Sequence, residues 1–526
     1  MRKVTLALLV MAVVLFMAGC GSQSSTTSAT NNPSPDTVPV GMTVTDTPPN
    51  GVTVLFFQLS ITGASLTPQT TQGTSGTPVS LLSSTSPIPI NVSQLQTAVA
   101  FLGTANVPSG TYNSLSVTFA NPELTIFNAS DSNISSTCAV GSVCVLTETT
   151  SGPLALSFSS SPTFPVVLSA GSPLAFKLDI HLDTVIQSDL SLNLDAPNGV
   201  TVSELSAPSS GAPIPGLGKL TGTVQGVGSS QFTLQSWGGR TFTIDVNSST
   251  TYDNFPSSAT CSVSAEAFGC LAMGQVVNVT VTLQSDGTLL ASEVDYVQPS
   301  NQQSVQGNII GLTTSNGNTI MDLIVQWNPS NSSSTSLPMG HHVRVTVPSS
   351  DVEYATNWNG FTFTAPSGVT LSFASASDLQ VGQDVLVVVQ GTVSSTDGSG
   401  GGGGFSGFGA GASFTTNNIT LESSQITGTV ASQPNTTLLS FTLATMPGFF
   451  VPPSSTPGGP PSWAPDIVTV LTNSSTTLTN FSSLSGLAVD NVVSVDGWVF
   501  STPSGATPTT VVADQVIQRQ GATPLF

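Results

Sequence analysis

Charge is the scarcest property of this chain. Of its 526 residues only 6% are charged, with seven Lys or Arg against 27 Asp or Glu and a formal charge of −20. Roughly a quarter is ordinary for soluble proteins. With so few cations there is no basic patch to neutralise phosphates, so nucleic acid is not an expected partner. Three histidines cannot furnish several metal centres. Helical periodicity is also scarce. Neither Gly-x-Ser-x-Gly nor His-Glu-x-x-His occurs, which removes two common hydrolase signatures. A glycosidase carboxylate pair carries no sequence signature, so the 27 acids leave that class open. Glycine (49) and proline (36) stay below the share that marks low complexity throughout. A hydrophobic content of 38% is enough to build real cores. The length suggests three or four domains.

What is present begins with an export signal. Arg2 and Lys3 precede an apolar run from Val4 to Phe16, and Met17-Ala18-Gly19-Cys20 follows. A charged start, a short apolar run and small residues at a cleavage point are the anatomy of a secretory signal. The run is too short to span a bilayer comfortably. Ala-Gly-Cys resembles a bacterial lipobox, which implies that Cys20 becomes the lipid-modified first residue; the plain alternative is an ordinary signal with an incidental cysteine. Gly21 is not Asp, so the resemblance implies no inner-membrane retention and favours the outer membrane over the inner. Removal of Arg2 and Lys3 leaves five basic residues against 27 acidic, a formal charge of −22. Side chains of that charge are not drawn to anionic lipid, so acyl chains must provide the membrane attachment.

With Cys20 assigned to lipid, Cys138 and Cys144 form one local pair and Cys261 and Cys270 another. An oxidising compartment makes two short-range disulfides the simplest expectation. Neither pair has a Cys-x-x-Cys spacing or a neighbouring histidine, so zinc is disfavoured.

The remainder is rich in short runs of Val, Ile, Thr, Phe and Leu separated by Gly, Pro, Asn and Ser, the pattern of an all-β protein. Ser and Thr at outward positions replace charge and retain strand propensity. After a Pro/Gly-rich stretch the chain repeats itself three times. Leu220-Thr221-Gly222, Val305-Gln306-Gly307 and Ile426-Thr427-Gly428 open the units. Met273-Gly274-Gln275, Val381-Gly382-Gln383 and Val489-Asp490-Asn491 begin a later strand in each. The expected organisation is a signal over 1–19, a Ser/Thr/Pro tether over 20–37, a β-sandwich-like domain over 38–206, and a linker over 207–219. Barrel repeats follow over 220–297, 304–422 (with a glycine-rich insertion at 398–411) and 426–518. Five strands at this spacing suit small Greek-key barrels of OB-like type.

The repeats resemble a bacterial family of unknown function found in tandem in exported proteins. The residues that carry the resemblance are the Gly-x-Val opening strand and the Val-Gly-x-x-Val strand. The N-terminal region resembles a second uncharacterised family, of bacterial surface lipoproteins, through Val44-Thr45-Asp46-Thr47-Pro48, the strand from Val52 to Leu59, and Val107-Pro108-Ser109-Gly110-Thr111-Tyr112. These resemblances imply architecture and location, and supply no catalytic residue.

Three places invite a chemical reading. In Phe176-Lys177-Leu178-Asp179-Ile180-His181-Leu182-Asp183 a strand would put Lys177, Asp179, His181 and Asp183 on one face. Asp179, His181 and Asp183 are therefore candidate ligands for a structural cation. The favoured alternative is a solvated strand face over a core face, which any half-buried strand shows. His341 and His342 are adjacent on a strand start and point to opposite faces, which suits a surface pair better than one chelated ion. Gly398 to Gly411 lacks the Lys and the following helix of a phosphate loop. It reads as a flexible hairpin insertion whose Phe405 and Phe408 are candidate partner contacts.

The sequence therefore describes a lipid-anchored bacterial envelope protein with a non-catalytic structural, adhesive or ligand-binding role and no required cofactor. Its expected partners are the membrane, through Cys20, and an envelope protein or glycan. The alternative is an enzyme or enzyme subunit acting on envelope or extracellular polysaccharide.

Overall fold

The computed structural model describes residues 37–47, 53–69, 76–82, 87–95, 98–127, 138, 143–147, 153–187, 191–209, 211–236, 239–258, 261–262, 267–299, 302–328, 337–367, 369–395, 412–444, 468–501 and 509–519. The signal segment, Cys20, the tether before Thr37 and the glycine-rich insertion with Phe405 and Phe408 lie outside them. The described chain is all-β: four sheets and a small barrel. The longest α-helical element among the described residues is a single turn, Leu182–Val185. None of the described helices is long and apolar enough to cross a membrane.

The N-terminal region builds two sheets over one core. Thr37–Thr47 runs parallel to Leu174–His181 and antiparallel to Ala100–Pro108, with Val200–Ser206 at the outer edge. The second sheet centres on two long antiparallel strands, Thr53–Pro68 and Gly110–Phe127. Strand periodicity explains the joint core. Alternate residues Val38, Val40, Met42 and Val44 face Phe57, Leu59, Leu66 and Phe119 of the other sheet, all buried.

The barrel begins at Lys219–Val227. This strand pairs with Gln231–Ser236, which pairs with Thr241–Asp245. Thr241–Asp245 runs parallel to Leu289–Pro299; that strand pairs with Gln275–Leu283, which returns to Lys219–Val227 and closes the ring. The circular order of first, second, third, fifth and fourth strand recurs twice. In the third unit it runs Ser424–Val430, Ser440–Ala444, Val468–Leu471, Thr510–Gln518, Val492–Phe500 and back. In the second unit the fifth strand is split. Ala412–Thr415 lies parallel to His342–Val347, while Asn418–Glu422 pairs with Asp384–Val388.

Local chemistry repeats with the pairing. Gly222, Gly307 and Gly428 face Val277, Val385 and Val493 across the first and fourth strands. A Cβ at Gly222 or Gly307 would collide with the carbonyl of Gln235 or Ile324, so the strand can coil inward only with glycine there. Before each fourth strand Gly274, Gly382 and Asp490 adopt positive φ of 79°, 93° and 69°. Their N–H groups donate to Val224, Ile309 and Val430 of the first strand. Gln275, Gln383 and Asn491 each accept, through the side-chain oxygen, an N–H three residues back at 2.7–2.8 Å.

Two expectations change. The stretch read as a linker, 207–219, is packed: Ile214 and Leu217 are buried in the barrel core, and Ile214 exchanges backbone hydrogen bonds with Leu283. Its Pro/Gly composition serves a tight path over the barrel instead of freedom. His341 and His342 are not a plain surface pair. His342 is largely buried, with Nε2 2.9 Å from Asp322, which also accepts from Arg344 Nε at 3.0 Å. His341 turns to Glu123 of the N-terminal region at 3.6 Å.

Candidate functional site

The four units meet around a chamber of about 310 Å³. Asn91 and Gln94 reach it from the N-terminal sheets, Lys219 and Asp295 from the first barrel, Gln306, Trp327 and Glu422 from the second, and Asp496 from the third. The first strands of the barrels bring the walls together. Lys219 donates its backbone N–H to Val99 at 2.9 Å, and the corresponding Gln425 of the third unit donates its side-chain amide to Gln94 at 2.7 Å. Asn91 binds the backbone and side-chain oxygens of Gln326, whose Nε2 in turn donates to the Leu55 carbonyl at 2.6 Å. An apolar seam of Leu55, Phe56, Phe127, Ile310 and Ile324 locks the same contact. Trp498 and Phe500 of the third unit join the core of the second, stacked with Trp358 and Phe361.

One hydrogen-bonded chain runs along the wall. Asn254 Nδ2 donates to Asp295 Oδ1 and to Asn357 Oδ1, both at 2.6 Å. Asn357 Nδ2 donates to Glu422 Oε2 at 2.9 Å, and Trp498 Nε1 donates to the Asn357 carbonyl at 2.6 Å. Both asparagines follow a short strand that lies parallel to the fifth strand of its unit. Asn480 holds the same place in the third unit, where it donates to the Gln518 carbonyl. This recurring asparagine is a signal the sequence contained and our reading missed.

A second, continuous space of about 230 Å³ shares Asn278, Asp295, Gln306, Trp327 and Glu422 with the chamber. Lys219 keeps an accessible side chain, yet protein walls the space it faces. Burial alone would lower its pKa, but Glu293, Asp496, Asp295 and Asp514 outweigh burial and raise it. The carboxyls move the other way from their usual range. Burial pushes Asp295 up to about 7, opposed by Asn254 and Lys219 and reinforced by Glu293 and Asp253. Burial likewise pushes Asp384 up to about 7, with Gln306 opposing and Asp496 adding. Glu422 is raised well above its ordinary value by burial and then by Asp295. The chamber thus holds Asp295 and Glu422, carboxyls shifted toward their protonated forms, beside amides, one lysine, one arginine and an indole, while Asp384 lies outside its lining. That set is suited to orienting a polar, hydroxyl-bearing ligand.

The residues singled out from sequence fall elsewhere. Leu174–His181 does alternate, with Phe176, Leu178 and Ile180 buried and Lys177, Asp179 and His181 partly exposed. His181 Nε2 lies 3.9 Å from Asp179 Oδ2 and 3.3 Å from Thr201 Oγ1. The strand ends at His181, and Leu182–Val185 turns into a helical turn, so Asp183 does not continue the face. Its side chain lies outside the described residues. Among the described residues no three His, Cys, Asp or Glu side chains gather into a cation-holding group. Cys138 and Cys144 sit at disulfide distance with Cα atoms 5.4 Å apart, and Cys261 and Cys270 with Cα atoms 4.6 Å apart. Ser395 pairs with Ala412, so strands flank the glycine-rich insertion on both sides.

Residues 221–295 match the family model described as a domain of unknown function, DUF5666. The first barrel is a DUF5666 domain. The match spans the ring of strands that supplies Asn254, Asn278 and Asp295 to the chamber. No curated protein matches the chain.

Proposed function

We propose that this is a lipid-anchored protein of the bacterial cell envelope whose role is non-catalytic: its folded body binds a polar ligand at the four-way chamber. In this reading the body is a sandwich-like domain followed by three OB-like barrel modules in tandem. Cys20 holds it at the outer membrane, and the ligand is an envelope glycan or a glycan-bearing partner. One observation carries the binding reading: a single chamber receives side chains from all four units. Apolar residues such as Ile88, Ile90, Leu95 and Leu102 line part of the junction, as packing alone would require, but amides, carboxyls, Lys219, Arg240 and Trp327 line the rest. Buried polar groups are costly unless paired, and this junction retains many.

The test is a pull-down from the protein's own envelope with the full anchored chain. The wild type is expected to retain a glycan fraction that Gln306→Ala and Glu422→Gln release. Equal retention by all three would overturn the chamber as the site. For the anchor, Cys20→Ser should move the protein out of the detergent phase; a wholly soluble wild type would overturn it.

An enzymatic reading has its own support. Asp295 and Glu422 share one hydrogen-bonded chain at the chamber wall; burial holds Glu422 well above the ordinary carboxyl range, while Asn254 and Lys219 favour the ionised form of Asp295, and acid–base chemistry on glycosides needs one carboxyl protonated and one ionised. Release of reducing sugar from envelope polysaccharide, abolished by Glu422→Gln, would favour it over simple binding.

A further inference from the structure

The third barrel carries a cleft separate from the chamber, of about 640 Å³, between the loop that joins its first two strands and the segment that follows its third. The three units differ at that loop. In the first unit three residues, 228–230, join the strands, and in the second an Asn316-Gly317 turn does so. In the third the connection is nine residues, 431–439. This loop is built: Asn435 exchanges backbone hydrogen bonds with Ser440, and its side-chain oxygen accepts from the N–H groups of Thr437 and Leu438.

The construction places two leucines outward. Leu438 is 56% exposed and Leu439 42% exposed. Leu439 also has φ of +48°, a left-handed conformation that a branched apolar residue adopts only under strain. Its carbonyl is held there by two hydrogen bonds, from the backbone N–H and the hydroxyl of Thr472, each 2.8 Å. Folding gains nothing from a strained, exposed leucine that glycine would relieve. A ligand would gain an apolar wall fixed in place.

Thr436 lines the cleft from the same loop as Leu439, and Phe481, Asn473 and the hydroxyls of Ser474 and Ser482 line it from the segment after the third strand. Among the described residues, no charged side chain lines the cleft. A cation would find no carboxylate there, and an anion would meet the field of a chain with formal charge −20. We propose that this cleft is a second binding site, for an uncharged saccharide chain. The C–H face of a sugar ring would lie against Phe481 and Leu439, and its hydroxyls would meet the serine and threonine side chains, with Asn473 holding the segment in place through its bonds to Ser475, Thr476 and Thr362.

The test titrates the full chain with maltohexaose and cellohexaose as neutral probes, alginate as an anionic one, and an uncharged Gly-Ala-Ser peptide. Saturable binding of a neutral hexasaccharide is expected, with alginate and peptide unbound. Leu439→Gly should weaken that binding at least tenfold while the melting temperature holds or rises, an outcome that a purely structural leucine would not produce. Ser474→Tyr, which fills the cleft from an exposed position, should also abolish it. Gln306→Ala in the chamber should leave the Leu439-dependent component of the binding in place, which separates this site from the one proposed above. Binding of neither hexasaccharide, preference for alginate or peptide, or full binding by Leu439→Gly would overturn the proposal.

Discussion

Two strands of this protein have similar patterns and opposite fates. Leu174–His181 and Leu289–Pro299 both place acidic residues between apolar ones. On the first, Asp179 and His181 look outward and remain partly exposed. On the second, Asp295 is only 8% exposed, because the second barrel stands against it and Asn254 reaches over it. The alternation sets which residues share a face. What packs on that face sets the chemistry of the acid. A carboxyl against water ionises freely, whereas one against protein must lose its hydration to do so.

The largest effect that would test this contrast lies at Asp384, which is fully buried on the fourth strand of the second barrel. Its carboxyl ionises near 3.8 when unfolded and near 7 when folded. The folded state therefore binds the proton more tightly, and stability falls as pH rises from about 4 to about 7. The displacement corresponds to something of the order of 4 kcal/mol at pH 8. Asp384→Asn should raise the denaturation midpoint at pH 8 and lose that advantage at pH 4, as urea titrations at both values would show. An equal effect at the two pH values would mean that Asp384 is ionised in the folded chain.

Asp295→Asn should show the same sign and a comparable gain, because burial holds Asp295 near 7 even though Asn254 and Lys219 favour its ionised form. Lys219→Met tests the other partner. Lys219 is raised in the folded state by four carboxylates, so its contribution is present throughout neutral pH and lost only above the pKa of a free lysine. The variant should melt lower at pH 8, with the loss narrowing at pH 4 as those carboxyls protonate. A lysine that merely faces solvent would give no difference at either pH.

The smallest effect belongs to the outward strand. Asp179→Asn should change stability by no more than about 0.5 kcal/mol, the range of ordinary surface substitutions. Millimolar calcium or a chelator should leave the melting temperature unmoved. A calcium-dependent rise would instead restore a cation at Asp179 and His181, since a ligand of the native state stabilises it.

Much of the architecture was legible in the residues because it rests on local physics. Alternating Val, Ile and Thr runs set strands and their buried faces, as Val38, Val40, Met42 and Val44 show. Gly222, Gly307 and Gly428 were visible as a recurring signature before the close strand approach gave it a reason. Cysteines six and nine residues apart met as expected. The packed course of 207–219 was not legible, since Pro and Gly punctuate a tight path as readily as a free one. Nor was the burial of His342, which depends on Asp322 in the adjoining strand.

The sequence by itself determined an all-β chain, the placement of its turns and the three occurrences of one strand pattern, because each depends on residues close together in the chain. Only the tertiary structure decided the candidate site. Asn254 lies 41 residues from Asp295 and 103 from Asn357, and Asn357 lies 65 from Glu422. No spacing rule connects such residues. Their carboxyls leave the ordinary range chiefly because the units exclude water where they meet, and desolvation is a property of that meeting and not of any strand.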